Sequence, residues 1–159
     1  MTATANTARP ATATATATAT ALNPRIIGLA HYAGRAILEA VLARHGATFQ
    51  QSVTLRAIAS AAEPLSLDEL IAQVDDSLKL GKPAVREVVQ EMTDAGLIEA
   101  QPSRVALTEA GRELFDRTTA ETAPISAKLY AGIPAEDLAV AGRVLTLITQ
   151  RANAELAGL

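Results

Sequence analysis

Apolar residues recur at helical spacing through most of the chain, a pattern typical of amphipathic helices. It predicts helices over residues 24–45, 50–62, 66–74, 82–95, 109–131 and 134–156. Asn23-Pro24 predicts the first start, because Asn caps helices well and Pro suits the first helical position. Ser66 with Glu69 predicts a capping box. Gly96 predicts a left-handed stop after 82–95.

The remaining segments predict a turn and a hairpin. Alternating runs at 97–100 and 104–108, joined by Gln101-Pro102-Ser103, predict a small β-hairpin. Residues 75–81 predict the turn, about four residues longer than is usual between two such helices. Pro124 predicts a kink or break in its helix. The fold class is therefore mainly α with a small β-hairpin wing: a winged helix-turn-helix domain plus terminal helices.

The first and last helices are apolar over more than half of their circumference, which predicts burial on more than one side. A terminal helix of one small domain cannot easily achieve that burial alone. Packing against a second copy of the chain, as a two-fold homodimer, explains both helices. Packing of the two end helices against each other within one chain is the alternative.

Composition predicts a disordered tail and a reducing cellular compartment. Residues 1–22 are almost entirely threonine and alanine, which predicts a disordered tail; a transit peptide is the alternative, although Arg9 is the tail's only charged side chain. The chain has no cysteine, which suits a reducing compartment. Its apolar runs are shorter than the ~20 residues of a membrane span. A cytoplasmic protein with no membrane partner is expected.

Charge is segregated along the chain, although the net charge is only −3. Residues 22–62 carry four arginines and one glutamate, residues 63–78 carry five acids and no base, and residues 79–112 carry five of each. An acidic total is unusual for a nucleic-acid-binding domain, but local basic regions are present.

The helix-turn-helix with a wing predicts binding to double-stranded DNA, because the second helix of such a unit enters the major groove by its N-terminal turns. Bases come early in that helix, whereas Glu87, Glu91 and Asp94 are expected in its later turns, away from DNA. The predicted DNA-binding residues are Ser77, Lys79, Lys82, Pro83, Arg86, Gln90, Arg104 and Thr108. The alternative for each is an ordinary solvated polar surface.

The chain resembles the MarR family of winged-helix transcriptional regulators over about residues 25–156. Four segments carry the resemblance: PLSLDELIAQV, PAVREVVQEMTDAGLIE, RVALTEAGRELF and IPAEDLAVAGRVLTLI. It implies a domain over 23–159, with dimerisation helices at 24–49 and 109–159 and the winged helix-turn-helix at 50–108. It also implies a homodimer on a pseudo-palindromic operator, usually a bacterial repressor.

The resemblance further implies release of DNA by a small aromatic or phenolic effector. The residues expected at an effector pocket are His31, Tyr32, Arg35, Phe49 and Arg56. A surface or interface face of the first helix is the alternative for His31 and Arg35. No other cofactor and no metal are expected.

Enzymatic function is not expected, since the chain lacks the motifs of the common catalytic sites. Its two histidines, His31 and His45, lack metalloprotease spacing. The competing hypothesis is a winged-helix dimer that has lost DNA binding and serves as a protein-interaction module. The short wing, Glu87 and the acidic net charge favour it.

Overall fold

The computed structural model describes residues 21–159, and six helices and two strands lie in that range. The helices are α1 (Pro24–Arg44), α2 (Phe49–Ala59), α3 (Leu67–Leu78), α4 (Lys82–Asp94), α5 (Glu109–Tyr130) and α6 (Ala135–Leu156), and the strands are β1 (Ile98–Gln101) and β2 (Arg104–Leu107). The predicted fold class is confirmed. The predicted disordered tail, 1–22, lies outside the described residues except for its last two.

The core of residues 35–159 lies between α2, α3, α4 and the hairpin. Its members are almost all β-branched or long aliphatic residues: Leu55, Ala57, Leu70, Ile71, Val74, Val85, Val89, Met92, Ile98 and Val105. On α3 and α4 most of these residues are three or four positions from the next one on the same face, so each helix buries one stripe. Leu70, Val85 and Met92 have no exposed surface. The core therefore holds α4 by one side and leaves the other side open.

The predicted end of α3 at Val74 is wrong, because the helix continues to Leu78. Asp75 and Asp76 were interpreted as loop residues, yet neither disrupts a helix. The turn is only Lys79–Gly81, and Lys79 closes α3 in the left-handed conformation with φ of 53°. The backbone N–H of Gly81 donates to Asp75 Oδ1 at 2.7 Å. The connection is thus of ordinary length for a helix-turn-helix.

The end of α4 confirms the predicted stop at Gly96, which has φ of +69°. The N–H of Gly96 donates to the carbonyl of Thr93, and the N–H of Leu97 donates to that of Met92. This is a Schellman motif, which satisfies the last carbonyls of the helix and turns the chain into β1.

The hairpin is tighter than the sequence pattern indicates, because Gln101 pairs with Arg104 across a two-residue turn, Pro102-Ser103. A third segment extends it: the N–H of Val105 donates to the carbonyl of Leu65 at 2.8 Å. The wing is therefore fixed to the segment that leads into α3.

Helix α5 continues through Pro124, so of the predicted kink or break, the break does not occur. Pro124 lacks an N–H, and the carbonyl of Ala120, four residues earlier, therefore receives no bond from that position. Thr122 Oγ1 donates to the carbonyl of Thr118 at 2.8 Å in the same turn. The helix remains one element with a weakened ladder at this point.

Helix α6 buries none of its residues within the described chain. Its exposed large apolar residues are Val140, Val144, Leu145, Leu147, Ile148 and Leu156. Helix α1 buries only Val41 and Leu42, and it exposes Leu29 and Tyr32. These helices therefore present apolar faces with no covering in the described part of the chain.

Helix α1 is long and apolar enough to cross a membrane, with a mean hydropathy of 1.4 in its best window. Because the continuous apolar runs of α1 are short, this property was not expected from the sequence. A single such helix is weak support for a membrane span. It also carries His31, Arg35 and Glu39 at four-residue spacing, and such groups are costly within a bilayer.

The predicted capping box opens α3. Glu69 Oε2 accepts from Ser66 Oγ at 2.7 Å and from the Ser66 N–H at 2.9 Å, while Ser66 Oγ accepts from the Glu69 N–H. The hydrogen bond from the Ser66 side chain, followed by that from its backbone, lowers the pKa of Glu69. Thr48 and Gln51 form a second, uncharged capping box on α2, which the sequence analysis did not identify.

We expect Ser66→Ala to lower the free energy of unfolding by about 1 kcal/mol at neutral pH. A carboxyl whose pKa is lowered on folding adds stability above its unfolded pKa, and this is lost as pH falls through the folded pKa. The loss caused by Ser66→Ala should therefore shrink below the ordinary value of 4.5. Urea unfolding at several pH values measures it. Thr48→Ala is the matched control, because Gln51 does not titrate; an equal pH dependence there would contradict the prediction.

Candidate nucleic-acid interface

The outward side of α4 is the candidate interface. Val85, Val89 and Met92 are buried, and they fix this helix on α3 and β1. The exposed residues of α4 are Lys82, Pro83, Arg86, Glu87, Gln90, Glu91 and Asp94. Four of the predicted DNA-binding residues are in this set, so the structure brings Lys82, Pro83, Arg86 and Gln90 together on one exposed helix.

The N-terminus of α4 has no side-chain cap, and Pro83 lies in its first turn. The first N–H groups of a helix lack partners within the helix, and they carry the positive end of its dipole. An uncapped helix start that is exposed can receive a phosphate oxygen. Lys82 at this end adds a positive charge.

Lys79 lies outside this helix start. Its Nζ is 2.6 Å from Asp76 Oδ1 in an exposed ion pair. Such a pair is worth little in water, so Lys79 can exchange this partner for a phosphate. Its backbone role as the left-handed end of α3 was not anticipated from the sequence.

Glu87 follows Arg86 directly and is exposed in the second turn of α4. The expectation that all three acids come in later turns is therefore wrong for Glu87. Asp94, in the last turn, accepts from Gln90 Nε2 at 2.8 Å. The exposed side of α4 carries two bases, Lys82 and Arg86, against three acids.

A cavity of about 210 Å³ lies beside α4, and Arg86 and Gln90 are on its rim. Its other lining residues are Leu67, Ile71, Val89, Thr93 and Ala100. Little in the sequence indicates this cavity. The small side chain of Ala100 on β1 is the one signal, because a larger residue there would fill the space.

Arg104 is exposed at the start of β2, next to the wing turn. It lines an open cavity of about 390 Å³ together with Arg112 and Glu63, and a smaller one with Glu99 and Gln101. Arg104 and Arg112 thus line the same cavity beside β2, and of the two only Arg104 was predicted as a DNA contact.

The hydroxyls of the two other predicted contacts already have partners in the chain. Thr108 Oγ1 accepts from the Gly111 N–H at 3.0 Å and donates to the Gly96 carbonyl at 2.6 Å. Thr108 thereby caps α5 and ties it to the end of α4. Ser77 Oγ donates to the carbonyl of Gln73 at 2.9 Å.

None of the five residues expected at an effector pocket lines the cavities that border α4 and the hairpin. His31 and Tyr32 make an edge-to-face contact with ring centres 5.3 Å apart. Arg35 Nε is 2.8 Å from Glu39, and the Arg35 guanidinium lies 4.4 Å from the centre of the Phe49 ring. Arg56 is exposed on α2.

A cluster of one carboxylate and two basic side chains joins the end of α1 to α5. Glu121 Oε1 is 2.7 Å from His45 Nε2, and Glu121 Oε2 is 2.8 Å from Arg44 Nη2. The sequence offers no signal for this cluster, because 76 positions separate His45 from Glu121. Among residues 21–159, no group of three or more potential metal ligands is found.

Comparison with known proteins gives a structural likeness only. No family model and no curated protein matches the chain. CouR from Rhodococcus jostii, solved with p-coumaroyl-CoA, has a TM-score of 0.65 and 19% identity, and the match covers 78% of this chain and 88% of CouR. A Mycobacterium tuberculosis MarR family protein in complex with DNA has a TM-score of 0.60 and 24% identity, with 81% and 98% covered.

The reduced form of MarR from E. coli is a third similar structure. Its TM-score is 0.61 and its identity is 20%, and the match covers 80% of this chain and 95% of MarR. The chain therefore has the winged-helix fold of the MarR transcriptional regulators.

Proposed function

We propose that this protein is a sequence-specific, double-stranded-DNA-binding transcriptional regulator of the MarR family. The observation that carries the proposal is the exposed side of α4, held from behind by a buried core and uncapped at its N-terminus. A structure with the same fold is a complex with DNA. A helix presented in this way fits the major groove of B-DNA.

The regulator acts as a homodimer in this proposal. Helix α6 buries nothing within the described chain, and α5 exposes Leu129 and Tyr130 at its C-terminal end. Exposed apolar areas of this extent mark interaction surfaces. A second copy related by a two-fold axis would cover the same faces on both chains.

A two-fold dimer presents two copies of α4, so the operator should be a pseudo-palindrome. The centres of its half-sites should lie about 10–10.5 base pairs apart, or a multiple of that spacing. Occupying such a site blocks transcription when it overlaps a promoter, and repression is therefore the proposed action, in the cytoplasm.

An effector would release the DNA. CouR is a structure of the same fold bound to p-coumaroyl-CoA, which supports a small aromatic or phenolic ligand. We retain His31, Tyr32, Arg35, Phe49 and Arg56 as its candidate contacts. Arg35 must leave Glu39 to bind an anionic ligand, and that exposed ion pair is inexpensive to break.

The alternative is a dimer that has lost DNA binding and serves as a protein-interaction module. The observation in its favour is the charge on α4, where three exposed acids accompany two bases. A basic partner would then dock on α4 and on the acidic segment 63–78.

One experiment separates the regulator from the interaction module. DNA duplexes that bind the purified protein are selected from a random pool, and their affinity is then measured by fluorescence anisotropy at two salt concentrations. We expect an inverted repeat, salt-sensitive binding, and a loss of about 1–3 kcal/mol with Arg86→Ala. Arg117→Ala is the control, since Arg117 is also an exposed arginine, but lies on α5 and is paired with Glu113. If no sequence is enriched and residual binding ignores Arg86, the interaction module replaces the regulator.

A further inference from the structure

The acid that directly follows Arg86 lies near the centre of the outward side of α4. Successive residues of a helix are about 100° apart around its axis. Opposite the buried stripe of Val85, Val89 and Met92, Glu87 falls within about 30° of the centre, whereas Arg86 and Glu91 lie roughly 50–90° to either side. The side chain that faces most directly away from the core in the second turn is therefore Glu87.

The carboxylate of Glu87 has no partner within the part of the chain that the structure describes. Neither the ion pairs nor the side-chain hydrogen bonds of residues 21–159 include it. The groove on its side of α4 is lined by Thr48, Gln50, Leu80, Ala84, Val88 and Glu91, and none of these is basic. Asp94, by contrast, is occupied by Gln90.

An ionised carboxylate accepts hydrogen bonds and donates none. In the major groove, only the amino groups of cytosine and adenine donate, whereas guanine N7 and O6 and thymine O4 accept. Adenine places its N7 acceptor beside its amino group, where it repels the second carboxylate oxygen. Cytosine has no acceptor at that edge, and it is the base that matches Glu87.

We propose that Glu87 is a specificity-determining residue that accepts a hydrogen bond from the N4 amino group of a cytosine in each operator half-site. This inference rests on the proposed function and adds the base that α4 selects. The same carboxylate repels guanine, thymine and phosphate, so it lowers binding to all other sequences. A negative charge on a DNA-reading helix is then a source of discrimination.

The test repeats the duplex selection with the full-length wild type, Glu87→Gln and Glu91→Gln. Both variants remove one negative charge from α4, so both should bind random DNA somewhat more tightly. Only Glu87→Gln should change the selected motif, because glutamine also donates and therefore tolerates adenine. Replacing the cytosine–guanine pair by adenine–thymine, which puts adenine where the cytosine stood, should weaken wild-type binding about tenfold, and should change binding of Glu87→Gln less than about twofold.

The outcomes separate this inference from the proposed function. A wild-type motif that Glu87→Gln leaves unchanged overturns the inference alone, as does an equal change of motif with Glu91→Gln. A wild type that enriches no motif overturns the inference together with the proposed function. Circular dichroism of the three proteins confirms that these exposed substitutions leave the fold intact.

Discussion

Replacing Val144 and Ile148 by aspartate is expected to convert the protein into a monomer that no longer holds its operator. Both side chains are about two-fifths exposed, at 39% and 41%, and they lie one turn apart on α6. Burial of a charge without a partner is prohibitive in an apolar interface. A dimer gains from simultaneous occupation of two half-sites, so the monomer should bind a full operator roughly 10²–10⁴-fold more weakly.

Light scattering coupled to gel filtration measures the mass, and anisotropy measures the affinity. The matched control is Thr146→Asp with Gln150→Asp, which places two acids at the same spacing on the polar stripe of α6. The control should remain dimeric. Dimeric behaviour of the first variant, or dissociation of both, would show that this face of α6 is not the interface.

Gly111→Ala is expected to destabilise the protein, although alanine normally favours a helix over glycine by up to about 1 kcal/mol. Gly111 is buried in the first turn of α5, and a Cβ there would overlap the carbonyl oxygen of Leu97. That carbonyl also accepts the N–H of Thr108 at 3.1 Å. The backbone of the α4-to-β1 turn must shift to make room, and such overpacking costs about 1–3 kcal/mol.

Thermal or urea unfolding at one fixed protein concentration tests this prediction. Gly34→Ala is the control, since Gly34 is exposed inside α1 and a Cβ there meets nothing within 4 Å. The control should be neutral or slightly stabilising. A Gly111→Ala protein as stable as the control would mean that the α5 start is not held against Leu97.

The parts of the fold that follow local rules could be predicted from the sequence. The stripe of Val85, Val89 and Met92 defines α4, and Ser66 and Gly96 mark ends that the structure confirms. The turn before α4 could not be predicted, because its length depends on the bond between Asp75 and the N–H of Gly81. Judged by residue type alone, Asp75 and Asp76 favour a loop.

The candidate site was predicted as a helix and a wing rather than as an arrangement of side chains. Arg86 and Gln90 could be placed on one exposed face from spacing alone. The internal hydrogen-bond partners of Thr108 and Gln90 could not be predicted. Thr108 bonds to Gly96, twelve positions away, and Gln90 has several neighbours to which it could bond. The outward position of Glu87 follows only once the buried stripe of α4 is known.

Glu121 and Pro124 divide α5 into an anchored part and a more flexible part. Glu121 anchors the helix to His45 and Arg44, and the missing hydrogen bond at Pro124 removes stiffness one turn later. The helix is therefore expected to bend most easily in this turn. Its apolar C-terminal end, which carries Leu129 and Tyr130, would move about that point. In the dimer proposed above, a small rotation about that turn would change the separation of the two copies of α4.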